Sequence, residues 1–196
     1  MLNIMSVWIE SQLSAFQSLE GSPLTQWRAV EMALNEAGTE DGLIWYDKSV
    51  PMLQLLTLFA LIDNQWREIA TYQDDDEFGL SIKPIPKIDD EMRRWPSKSG
   101  ELSIYRLRVP DELPRGRVSQ LSVRQNGRGN IASVEFLIQD RVIQLLAGEV
   151  YETHENTFEV KFMDESVLVQ VMVAHQSRHN NTLNRSAVLR AMGWTI

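Results

Sequence analysis

Four adjacent carboxylates, Asp74, Asp75, Asp76 and Glu77, followed by Phe78 and Gly79, form the densest group of potential cation ligands in this chain. A calcium loop of the EF-hand kind needs acids at positions 1, 3 and 5, glycine at 6 and glutamate at 12. Counted from Asp74, Asp76 and Gly79 fall in place, but Phe78 and Ile85 stand where two ligands are required. The flanking residues read as strands rather than helices. The run is therefore expected to be a hairpin tip whose carboxylates stay in water. Charge at such a tip discourages edge-to-edge aggregation, and it can also pair with the chain's own arginines. No metal is expected there.

Histidine chemistry is equally thin. His175 and His179 have the i, i+4 spacing that zinc sites use on a helix, but "HQSRH" carries Gln176 where a metalloprotease has its glutamate. His154 falls in an expected turn. All three read as surface histidines. With no cysteine, disulfides, thiol nucleophiles and thiolate metal sites are excluded.

The arginines carry the clearest signal. Arg93, Arg94, Arg106, Arg108, Arg115, Arg117, Arg124 and Arg128 fall in one central stretch. Residues 83–128 hold 11 Lys/Arg against 6 Asp/Glu, whereas residues 1–82 hold 3 against 13. Arg106 and Arg108 have the same parity in "IYRLRV", so they share one face of a strand. Arg124 joins that face if the next strand pairs back through "PDELPRGR". A row of guanidiniums suits phosphate, carboxylate or an acidic protein surface. The overall charge of −8, and the lack of the usual nucleic-acid-binding motifs, argue against nucleic acid. The competing reading is a solvated face whose arginines pair with Asp111, Glu112 or the acidic N-terminal part.

The elements that must position these residues follow from periodicity. Leu2, Met5, Ile9, Leu13 and Phe16 make one apolar stripe, which predicts a helix over 2–19. Ser22 as cap, Pro23 at the first turn, Gly38 as stop and a face of Trp27, Val30, Leu34 and Ala37 predict a second helix, so residues 1–39 read as a helical hairpin. From residue 43 to 174 the pattern is that of strands: "LIWYD", "MLQLLTLFALI", "WREIATY", "IYRLRV", "VSQLSV", "IASVEFLI", "VIQLLAG", "TFEVKF" and "VLVQVMV". "QNGRGN", "QDR" and "MDES" read as tight turns, which implies antiparallel pairing. Residues 84–100, with three prolines, read as a long loop, and 184–193 as a short C-terminal helix capped by Asn184.

The expectation is one α+β, β-dominated domain over 1–196: two N-terminal helices, an antiparallel meander forming a barrel, half-barrel or strongly bent sheet, and a short closing helix. This arrangement resembles lipocalin-like barrels in architecture alone. No nucleophile elbow, phosphate loop or dinucleotide fingerprint occurs, so the balance is against an enzyme and no cofactor is called for. With no leader-like segment and no long apolar run, the reading is cytoplasmic and without membrane contact. The first functional expectation is a non-catalytic interaction or accessory module, binding a protein partner or a second copy through Arg93, Arg94, Trp95, Arg106, Arg108 and Arg124. The alternative is a binding protein for a small anionic or apolar ligand inside the curved sheet, with Trp45, Trp66 and Tyr72 lining the cavity.

Overall fold

The computed structural model describes residues 4–35, 42–88, 103–154 and 157–174. One helix, α1 (Ile4–Gln17), precedes nine strands: β1 (Pro23–Met32), β2 (Leu53–Ile62), β3 (Gln65–Asp74), β4 (Glu77–Ile85), β5 (Tyr105–Arg108), β6 (Gly116–Gln125), β7 (Ile131–Ile138), β8 (Arg141–His154) and β9 (Thr157–Val173). They form one sheet in the order β4-β3-β2-β9-β8-β7-β6-β1-β5, and β1 also pairs with β2. Every pairing is antiparallel, as the short turns imply. Six strands, β1-β2-β9-β8-β7-β6, thus come round to a partial ring. Its seam is narrow, because β1 meets β6 only at Pro23↔Arg117 and Leu24↔Gly116.

Beyond the seam the chain needs other partners for its edges. Residues 53–55 of β2 pair with β9 and residues 58–62 with β3, so the β3–β4 hairpin leaves the ring and packs over β7, β8 and β9. The helix fills the remaining gap between β4 and β6. It buries Ile9 and Phe16, with Met5, Trp8 and Leu13 against the same core, as the predicted stripe requires. Full burial of a side chain the size of Phe16 contributes about 2–3 kcal/mol. Side chains of this N-terminal segment also serve both strand edges. Gln12 Oε1 accepts from the Ile82 amide at 2.8 Å, and Glu20 Oε2 accepts from the Leu121 amide at 3.0 Å. Strand-edge amides are thereby satisfied.

The second predicted helix is a correction: residues 23–32 are strand β1. The spacing of Trp27, Val30 and Leu34 fits a helical face, but residues 29 to 35 are all buried, and a one-faced helix cannot bury such a run. A strand with neighbours along both edges can, and tertiary contact then overrides local propensity. Trp27 lies wholly inside, its indole N–H donating to the Pro114 carbonyl at 2.9 Å. Two further segments differ from the strand pattern the sequence predicts. "LIWYD" contributes only an isolated bridge, Asp47↔Val50. "MDES" is no turn: "TFEVKF" and "VLVQVMV" are one strand, β9, interrupted by a bulge. Ala147 pairs with Val167 and the next residue, Gly148, with Phe162, which leaves Met163–Ser166 looped out. Of the predicted 84–100 loop, Pro84 and Ile85 complete β4, while 89–100 lies outside the described residues. The predicted C-terminal helix, 184–193, also lies outside them.

Past the bulge, β8 and β9 continue as a two-stranded ribbon. One face, Val150, Phe158, Val160 and Phe162, packs with Leu34, Ile44, Val50 and Met52 into a second, smaller core. Buried Gln54 ties this ribbon to the body, its Nε2 donating to the Ala33 carbonyl and its Oε1 accepting from the Val150 amide. Among the described residues no helix is long and apolar enough to cross a membrane.

Candidate functional site

The site at the β5 end is built around a carboxylate that the strand register buries. Glu31 on β1 is 1% exposed and stands directly opposite Arg106 on β5, while Ala29 stands opposite Arg108. An isolated buried carboxylate is strongly disfavoured, so it needs cationic donors. Arg106 Nε donates to Glu31 Oε2 at 2.5 Å and Arg108 donates to Oε1 at 2.8 Å. Arg108 then bonds both oxygens of Glu112 at 2.8 Å. Arg106 is also stacked on Trp45, its guanidinium carbon 4.0 Å from the ring centroid. Trp45 belongs to the 42–52 segment that caps the smaller core, and Tyr46 beside it is 59% exposed. Arg106 keeps 45% of its side chain in solvent, and among the described residues its two terminal amino groups make no hydrogen bond. The arrangement holds one guanidinium rigid on an aromatic ring with donors to spare, which suits recognition of a carboxylate or phosphate.

The other predicted arginines do not gather here. β5 pairs with β1 rather than with β6, so Arg124 is not brought onto this face; it stands opposite Ser133 and faces Glu135 at 3.7 Å. Arg115 pairs with Asp111 at 2.8 Å, Arg117 donates to the Gly21 carbonyl, and Arg128 reaches Asp76 at 2.5 Å. Arg93, Arg94 and Trp95 lie outside the described residues, as do His175 and His179. The acidic run is a hairpin tip, with Asp74 paired to Glu77 across Asp75 and Asp76. Arg128 and Asn126, from the β6–β7 turn, hold Asp76 and Glu77. Arg128 holds the Asp76 carboxyl below its usual range.

The three aromatic residues expected to line a cavity are also dispersed. Trp45 lies under Arg106, whereas Trp66 and Tyr72 are on β3. Tyr72 is engaged in packing: its ring lies over Gly79, meets Trp8 edge-on at 4.6 Å, and its hydroxyl donates to Asn130 Oδ1 at 2.9 Å. Burial raises its hydroxyl above the ordinary range.

A second cluster went unread in the sequence, because "MDES" resembles a turn. On the outer face of the ribbon Glu149 stands opposite Lys161, and Tyr151 opposite Glu159. The Tyr151 hydroxyl donates to Asp164 Oδ2 in the bulge at 3.0 Å, and Lys161 Nζ lies 4.0 Å from the Tyr151 ring. Burial, followed by the neighbouring charges of Glu165 and Asp164, pushes the Glu149 carboxyl up to about 7. Burial and the bond to Asp164 push the Tyr151 hydroxyl up to about 12. Glu149 Oε2 and Ser166 Oγ are buried with no hydrogen-bond partner. Among the described residues no three His, Asp or Glu side chains are arranged to hold a metal ion. Comparison with protein-family models, with curated proteins and with solved structures finds no match to this chain.

Proposed function

We propose that this protein is a non-catalytic interaction module that binds a carboxylate-bearing protein surface through Arg106 and the Trp45–Tyr46 pair at the β5 end of the sheet. The observation that carries this reading is the clamp on Arg106: buried Glu31 takes its Nε and Trp45 supports its plane, leaving half-exposed donors already oriented. Arginine and large aromatic residues dominate the energetics of protein interfaces, above all where they are fixed before binding. Arg108 belongs to the clamp rather than to the contact, since both its ends are occupied. Arg93, Arg94 and Trp95 precede β5 in the chain and remain part of the proposal as additional contacts.

A photo-crosslinking amino acid at Tyr46 tests it in the source cell, with one at exposed Val7 as control. The expected result is a discrete adduct from position 46 only, lost on Arg106→Ala while the melting curve stays cooperative. Equal adducts from both positions, or an adduct indifferent to Arg106→Ala, would overturn the reading.

A further inference from the structure

We propose that the bulge Met163–Ser166 is a proton-operated latch, closed over Glu149 when that carboxyl is protonated and loosened when it ionises. This does not rest on the interaction reading above.

The geometry comes first. Gly148 sits where the register breaks, and a Cβ there would lie 2.7 Å from the Lys161 carbonyl, so β8 and β9 approach too closely for a side chain at that point. The chain then loops out, with Met163 in the left-handed region at φ 61°. A non-glycine residue there costs on the order of 1 kcal/mol or more, so the loop is held by its contacts rather than by backbone preference. Two of those contacts reach other strands. Asp164 accepts from Tyr151, and the Glu165 carbonyl accepts from the Thr71 hydroxyl on β3.

The loop delivers two carboxylates, Asp164 and Glu165, toward a third whose Oε2 is buried and unpartnered. Among the described residues Lys161 is the one cation that bears on Glu149, and its ammonium lies over the Tyr151 ring. The described strands packed against the ribbon supply no other. β2 has no charged residue. On β3, Arg67 lies on the same side as Thr71 but is not among the charges acting on Glu149. Lys83 on β4 is paired with Glu68, Glu77 is held by Asn126 and Arg128, and Glu135 on β7 is held by Gln144 and Arg124.

A protonated Glu149 can stay buried under the bulge. An ionised one is a partly desolvated anion facing two like charges, and relief comes if the bulge moves off and admits water. A carboxyl titrating near 7 changes state within the physiological range. Because Thr71 holds the bulge through the Glu165 carbonyl, the latch couples the ribbon to the β3–β4 hairpin.

The test is carboxyl-resolved NMR titration of the whole chain, combined with amide exchange across 162–167. The expected midpoint for Glu149 is close to 7, with protection in the bulge falling at least about tenfold from pH 6 to pH 8 after correction for intrinsic exchange. Glu149→Gln is expected to keep full protection at pH 8. Glu165→Gln, an exposed and mild change, is expected to lower the Glu149 midpoint. A wild-type midpoint below about 5.5, or protection independent of pH, would overturn the latch. So would a pH dependence that survives Glu149→Gln.

Discussion

Glu31 and Glu149 are both glutamates on long strands, the first buried and the second half-buried with one carboxyl oxygen out of reach of water, and they meet opposite surroundings. Glu31 is the more deeply buried, yet the register of a four-residue edge strand sets one guanidinium directly opposite it and a second two residues away. Glu149 also has a cation opposite, Lys161, but the bulge adds Asp164 and Glu165 on the same side. At Glu149 burial is the largest cause of the raised carboxyl, and the like charges of the bulge add to it. Glu31 instead serves as the counter-ion that orients two arginines.

The most forceful way to break this comparison is to strip Glu31 of its cations. Arg106→Ala with Arg108→Ala leaves a buried, unpaired charge, and the expected loss is about 3–5 kcal/mol in urea denaturation. Adding Glu31→Leu should recover most of it, because the cost arises from the orphaned carboxylate rather than from lost packing. If the double substitution costs under about 1 kcal/mol, Glu31 is not the buried charge described and the contrast with Glu149 collapses. Charge reversal at Arg106 or Arg108 is for the same reason a poor probe of binding alone, since it would place two or three carboxylates together.

Gly148→Ala sharpens the other half. The added methyl meets backbone, the Lys161 carbonyl, and also Leu168 Cδ1 at 3.0 Å, so β8 and β9 must separate. The expected cost is about 1–3 kcal/mol, as for overpacking generally. Loosening the bulge should at the same time bring the Glu149 midpoint down toward its ordinary 4.5. An unchanged midpoint would show that the bulge does not set the Glu149 environment.

Glu149→Gln has a smaller effect, with a definite sign. The folded-state value lies above the unfolded one, so the native protein holds this proton more tightly. Below about 4.5 both states carry it and the full stability is present. Between about 4.5 and 7 the unfolded chain releases the proton while the folded protein keeps it, so stability falls as pH rises, and above about 7 it stays lower. Glu149→Gln should therefore raise Tm at pH 8 and leave it unchanged near pH 4. A Tm gain of equal size at both pH values would point to packing rather than ionisation.

Much of the sheet is legible in the sequence, from alternation in one strand and from short apolar runs bounded by turns in others. The alternation in 118–123 and the apolar runs at 131–138 and 142–148 lie where β6, β7 and β8 form. The helical stripe ending at Phe16 is equally plain. Strand β1 is not, because burial on both faces erases alternation, and Trp27, Val30 and Leu34 then fit a helical period by coincidence. The Arg106/Arg108 face is legible from parity alone, but its counter-ion is not: Glu31 lies 75 residues away and only the β1–β5 register joins them. Glu149 was hidden by a different ambiguity. Asp164 and Glu165 between two apolar runs carry the composition of a turn, and composition does not distinguish a chain reversal from a bulge that keeps its direction.

The smallest expected effect concerns the hairpin tip, where charges are paired in open solvent. Arg128 and Asp76 lie at two turn tips, β6–β7 and β3–β4, and meet at 2.5 Å, with Glu77 at 3.5 Å. Their attraction holds Asp76 below its ordinary 3.8, so any stability it lends is present at neutral pH and lost as pH falls through the Asp76 midpoint. Water screens such a pair and salt screens it further. Arg128→Ala should bring the Asp76 midpoint back up toward 3.8 in an NMR titration while leaving Tm at 0.5 M salt unchanged. The contrast with Glu31 is then complete in kind: the same two charged groups, guanidinium and carboxylate, with a similar separation, differ in consequence because one carboxylate is buried and the other is not. A large Tm loss on Arg128→Ala at high salt would show instead that this turn–turn contact pins the β3–β4 hairpin to the ring, and that solvent exposure is a poor guide to what the pair does.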